Sequence, residues 1–317
     1  MKLIQYSTGL WLLCCASLAL ADNRQSIDEV RSVGANERVT LEVQRGKVTI
    51  RGSQQNQFKV SGKLDEQAEG FTLDSNAGFT QFVMKMPRQM HSDRNQQGAE
   101  LVFEVPQGAS LEFKGVNSSV VVENISGGSL ISTVNGDIKA NNLSETVELA
   151  TVNGAIDSQG LSGQLRLKTV NGKIEDKGAT GRLQVESING EIDLESQPDE
   201  LMLTVVNGEV DLDLTRTAKI EISSVNGSVE VELKQQNAPR IKGSSVSGKF
   251  ELKLDPNLDA SVSMKTTAGG SIKNSLTNDQ PSRAKYGPAS NLQFSSGNGS
   301  GSIDISTVSG RLELSKN

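Results

Sequence analysis

Thr133-Val134-Asn135-Gly136, Thr151-Val152-Asn153-Gly154 and Thr169-Val170-Asn171-Gly172 are one tetrapeptide met three times. Its last three residues return as Ile188-Asn189-Gly190, Val206-Asn207-Gly208 and Val225-Asn226-Gly227. The first five asparagines are 18 residues apart and the sixth is 19 further on. Counted from each Asn, apolar residues recur at minus one (Val134 to Val225) and at plus three (Ile138, Ile156, Ile174, Ile192, Val210, Val229). They recur again at plus twelve (Val147, Leu165, Leu183, Leu201) and plus fourteen (Leu149, Leu167, Val185, Leu203). Plus eight is apolar only at Leu143 and Leu161. Minus two is Thr or Ser except at Val205. The register reaches back to Val116-Asn117-Ser118 and forward to Val246-Ser247-Gly248 and Val308-Ser309-Gly310.

A short fixed period means that each unit buries its apolar side against its neighbours. Asn-Gly is a favoured hairpin turn, so a meander of hairpins is one solution. A parallel β-solenoid is the other, and it is favoured here. Only stacked coils, about 4.8 Å apart, give a reason for the same residue at the same position. On that reading Asn117, Asn135, Asn153, Asn171, Asn189, Asn207 and Asn226 form a corner ladder of amide hydrogen bonds. The Val points inward, and Gly gives the corner a left-handed conformation. A left-handed hexapeptide helix would space its apolar residues every six. The unequal spacing here points to a flattened, right-handed coil of about 18 residues.

Outward from the repeat, residues 37–113 alternate with period two and read as a β-rich N-terminal cap. Residues 114–317 are the solenoid, with a polar loop insertion near 274–290. No window has a convincing helical period, and residues 22–36 read as a flexible polar start. Residues 1–21 read as a cleaved signal peptide: Lys2, an apolar run from Leu10 to Leu20, and Ala19-Leu20-Ala21. The leader holds both cysteines, Cys14 and Cys15, so the exported chain has no disulfide and no thiolate metal site. No other segment is apolar enough to span a membrane. The net charge of -6 argues against nucleic-acid binding.

Leu101-Val102-Phe103-Glu104-Val105-Pro106-Gln107-Gly108, the Val-Asn-Gly units, and Gly301-Ser302-Ile303-Asp304-Ile305-Ser306-Thr307-Val308-Ser309-Gly310 resemble the bacterial "putative adhesin" domain family. The resemblance covers residues 38–317. It implies an exported β-solenoid of unknown function and supplies no catalytic residues to carry over.

His91, the single histidine, stands in a polar loop beside Ser92 and Asp93 and reads as solvated. The one constellation above background is acidic: Glu191, Asp193, Glu209, Asp211, Asp213 and Glu230 fall at plus two, four and six of neighbouring coils. Stacking would gather them on one face. A solvated face is the first reading. A surface for calcium, which takes oxygen ligands, or for a basic partner is the second; a carboxylate pair for a glycosidase or lyase is the third. Arg166, Lys168 and Arg182 fall on the other outer face. The expectation is a non-enzymatic binding, adhesion or scaffold module, periplasmic or extracellular, with no cofactor and with an envelope protein or polysaccharide as partner. An envelope hydrolase or lyase, or an accessory partner of a membrane signalling system, is the alternative.

Overall fold

A computed structural model describes residues 24–89, 97–234 and 238–317. The expected leader at 1–21 and His91 lie outside the described residues. Everything described is strand, turn or irregular, with no helix.

The repeat folds into parallel rungs. The plus-twelve positions stack directly: Val147 lies beside Leu165, Leu165 beside Leu183 and Leu183 beside Leu201. On the second side of the coil Ile138, Ile156, Ile174, Ile192 and Val210 do the same. These columns, with those at plus fourteen, are buried. Each inward Leu, Ile or Val contributes about 1.5–3 kcal/mol by leaving water. From Glu200 onward the two sides merge into single long strands, Glu200–Leu214, Lys219–Leu233 and Arg240–Leu254.

Two details of the corner depart from expectation. The Val at minus one faces outward, with Val134 40%, Ile188 44% and Val246 47% exposed. The inward residue is the one before it: Thr133, Thr151, Thr169, Ser187, Ser224 and Thr307 are all buried. A buried hydroxyl needs a partner, and for the threonines the carbonyl one rung back supplies it, whereas Ser187 Oγ and Ser224 Oγ have none among the described residues. Thr133 Oγ1 donates to the Ser118 carbonyl at 3.0 Å and Thr151 Oγ1 to that of Gly136 at 3.1 Å. The glycine is also there for a different reason. Gly136, Gly154, Gly172, Gly190, Gly208 and Gly227 are not in the left-handed region. A Cβ on Gly172 would instead lie 1.9 Å from the Gly154 carbonyl oxygen, and one on Gly190 2.0 Å from that of Gly172. The left-handed residues sit at another corner, in the column Asn124 (φ 60°), Asn142 (φ 54°), Gly160 (φ 65°) and Gly178 (φ 77°).

The ends are built by inserting distant segments. Arg38–Ser53 pairs in parallel with Ser110–Ile125, Val39 beside Leu111 and Val48 beside Val120. Its other edge pairs in parallel with Phe79–Lys85 and Ala99–Pro106, which form the outermost rung. The parallel stack therefore takes in residues 38–53, 79–85 and 99–106 rather than starting at 114, and the expected cap contributes two of its rungs. At the far end Gly301–Thr307 and Arg311–Lys316 slot between Arg240–Leu254 and the outermost pair Ala260–Thr266 and Ser271–Asn274. Twelve rungs result among the described residues.

Antiparallel strands then cover both strands of the first outer rung and Ala260–Thr266 of the last, which blunts the open parallel ladder. Phe79–Lys85 pairs with Gly70–Asn76, and Ala99–Pro106 pairs with Gln57–Lys63. Ser26–Ser32 adds to Gln57–Lys63 over seven residue pairs, so the polar start is a strand and not a flexible arm. Its charges face solvent while Ile27 is buried. Ala260–Thr266 is covered by Ser290–Ser296. Of residues 274–290, Ser282–Arg283 and Ser290 are in strands that pair with each other, and Asn274 ends another.

Two outcomes follow. Gly172→Ala should lower stability by at least about 2 kcal/mol in denaturant unfolding, the cost of forcing a carbon into a closed site. Deleting residues 301–317 should strip a rung from between two others and abolish the cooperative transition, and a synthetic 301–317 peptide added in trans should restore it.

Candidate functional site

The outer surface of each rung is set by strand parity: residues flanking an inward side chain point out. On the side after the corner, plus two, four and six are outward. The register places Glu175, Asp193, Asp211, Glu230 and Glu251 in one column. Glu195, Asp213 and Glu232 form the next. The stack thus brings Glu191, Asp193, Glu209, Asp211, Asp213 and Glu230 onto one face.

Lysines occupy most of that face's charge. Lys173 Nζ lies 2.8 Å from Glu191 and 3.5 Å from Asp193. Lys234 lies 2.8 Å from Asp213 and 3.6 Å from Glu232, and Lys253 pairs with Glu230. Such exposed pairs are worth at most about 1 kcal/mol each. Among the described residues Glu209 and Asp211, at the centre, have no cationic partner. Loss of hydration holds the Asp211 carboxyl above the ordinary aspartate range, and Glu209, Glu230, Asp193 and Glu191 push it the same way. Among the described residues no group of three His, Cys, Asp or Glu is placed to hold one metal ion.

The asparagine ladder lies at the corner beside this face. Asn135 Nδ2 donates to Asn117 Oδ1 at 2.7 Å, Asn153 to Asn135 at 2.8 Å and Asn171 to Asn153 at 2.9 Å. Asn189 to Asn171 and Asn207 to Asn189 are both 3.0 Å, and Asn226 reaches Asn207 at 3.5 Å. Ser247 continues the column by donating to Asn226. Each amide spends one N–H and one lone pair on its neighbours, and the other of each faces water.

On the opposite outer face Arg166 lies 2.8 Å from Glu186, Lys168 3.5 Å from Glu186 and Arg182 3.1 Å from Glu200. A depression of about 230 Å³ there is lined by Arg182, Gln184, Glu200, Met202, Lys219 and Glu221.

Three carboxylates are buried among the described residues: Glu37, Asp65, which pairs with Arg45, and Asp176 within the repeat. Asp176 occupies plus five, the inward position filled by Ala140, Ser158 and Leu194 in nearby rungs. Its oxygens accept from Ser158 Oγ at 2.6 Å and Ser196 Oγ at 2.5 Å, with the Ala179 N–H at 3.3 Å. Burial still raises its pKa despite those bonds. Parity with the isoleucine at plus three would have marked it as inward. Solvent does not reach it, so it is a packing feature of the coil.

The profile of one known family, Toastrack DUF4097, matches residues 32–315. The chain belongs to this family. No curated protein matches it. Among solved structures, a "putative lipid binding protein" from Parabacteroides distasonis is 13% identical, with 93% of this chain and 98% of that one covered at a TM-score of 0.47. A "putative adhesin" from Parabacteroides merdae is 11% identical, covering 93% and 98% at 0.42. A "putative cell adhesion protein" from Clostridium sporogenes is 11% identical, covering 92% and 100% at 0.24.

For Asp211 the folded-state pKa lies above the unfolded value, so its ionised form opposes folding at neutral pH. That opposition vanishes once pH falls below the unfolded value, where both states hold the proton. Asp211→Asn should therefore raise the thermal midpoint at pH 7, and the gain should disappear on acidification through the aspartate range.

Proposed function

We propose that this Toastrack protein is a non-enzymatic binding or scaffold module of the bacterial cell envelope, exported by residues 1–21. It engages an envelope protein or polysaccharide along the outside of a right-handed stack of 18-residue coils. One observation carries the reading: what the stack offers is a periodic surface and not a convergent pocket. Outward residues repeat at rung spacing over the length of the molecule. Of the two carboxylates an enzyme would use, Asp193 is held by Lys173, and Asp211 has no cation beside it among the described residues. Family membership supports the coil architecture, and the leader sequence supports the compartment.

The competing reading is an envelope polysaccharide hydrolase or lyase that uses the central carboxylates. The two separate cleanly with purified envelope polysaccharide. The binding module should cosediment with envelope material and release no reducing ends or unsaturated products. Turnover that is lost in Asp193→Asn and Asp211→Asn would replace it with the enzyme.

A further inference from the structure

The outward valines form a feature that neither packing nor the acidic face uses. Val116, Val134, Val152, Ile188, Val225, Val246 and Val308 are each 37–47% exposed, and Val170 and Val206 are half-buried in the same column. Since each is flanked by its neighbours above and below, the exposure left is the whole outward side of the row. Nine rungs at about 4.8 Å make a stripe about 40 Å long. On one side the next two columns, Asn or Ser and then Gly or Ser, carry no charge from Asn117 to Gly310, and on the other the next outward column holds Lys114, Lys168 and Glu186. A continuous apolar row of this length on the outside of a protein marks an interaction surface.

We propose that this corner is a self-association surface on which two copies pack antiparallel, stripe against stripe. Three observations select a second copy over another partner. The first is period: an identical lattice keeps its side chains in step over nine rungs. The second is area. A strip about 40 Å by 15 Å on each copy removes about 1,200 Å² in total, the lower bound of a standard stable interface.

The third is charge. Full overlap of an antiparallel pair puts Ile188 opposite its own copy and Val116 opposite Val308. In the plus-two column the same overlap sets Lys173 opposite Glu209 and Asp137 opposite Lys249, twice each. Among the described residues, Glu209 and Asp137 are the acids of that column with no cation in their own chain, whereas the central Glu191 already holds Lys173. The antiparallel overlap sets Glu191 opposite its own copy, each beside its own Lys173, whereas a parallel pair would face Lys173 to Lys168 and Glu191 to Glu186 and set no acid opposite a lysine. The proposal does not depend on the binding reading above.

The test uses the full chain with Cys14→Ser and Cys15→Ser, which leaves no thiol. Mass by light scattering should correspond to two copies. A short bis-maleimide should link Ile188→Cys to itself. It should not link Val116→Cys to itself, but should link Val116→Cys mixed with Val308→Cys. Val152→Lys with Val225→Lys should weaken the dimer at least about tenfold while the circular dichroism and thermal midpoint stay unchanged, since both sites are exposed. A monomer at all concentrations overturns the proposal. So does a dimer in which Val116→Cys links to itself, or one indifferent to the lysine pair.

Discussion

Everything in this molecule depends on how closely one rung lies on the next at the Val-Asn-Gly corner. There the carbonyl of one glycine occupies the space that a side chain on the next would need. That contact fixes the local spacing, and the spacing brings the threonine hydroxyl at minus two within reach of the carbonyl one rung back. The asparagine amides then meet in a row. Once the corner is set, the inward columns of Leu, Ile and Val have no freedom of register. The chain shows which corner matters when the period slips. Asn226 follows Asn207 by 19 residues and Ser247 follows Asn226 by 21, yet all three remain paired. The register changes on the far side of the coil: Leu214 lies beside Leu233, 19 residues on, and Lys219 beside Arg240, 21 on.

A stack held this way has no natural end, because its last rung presents a row of unpaired amides. The molecule answers with a change of strand direction at both ends and, at one of them, a change of side chain. Phe58, Phe82 and Phe103 fill the core beneath the first rungs, Phe82 and Phe103 meeting edge to face at 5.1 Å. Phe71 stacks on Phe82 from the covering strand. These rings do the job that a further rung of leucines does in the middle. Five of the eight phenylalanines, Phe58, Phe71, Phe79, Phe82 and Phe103, lie in these end strands.

The columns at plus three, twelve and fourteen were legible because apolar residues two apart on a strand must share a face. The same rule, pressed one step further, places minus two inside and minus one outside. The apolar character of Val and the polar character of Thr pointed the other way. A threonine can be buried cheaply when its hydroxyl meets a carbonyl, and the carbonyl belongs to a residue 15 positions earlier, which no local pattern reveals. The glycine was read as conformational, but its role is one of clearance between neighbouring backbones. The acidic face was legible from spacing alone. Its neutralisation by lysines was not, because Lys234 and Lys253 reach acids 21 and 23 residues away. Nor could the sequence show that residues 38–53 and 301–316 enter the stack one place in from its ends. Between them and their neighbours lie excursions of irregular length that carry no period.

That placement gives the fold a direction in time. The ribosome makes the outermost far rung, at 260–274, before the one that belongs beneath it. Until residues 301–317 emerge, the coil at 240–254 has an open upper edge and the outermost rung has nothing to rest on. The growing chain can stack its middle as it appears, but it cannot be closed from the end. Residues 301–317 act as a keystone, so a chain cut short before them is left as an open ladder while one that includes them is sealed.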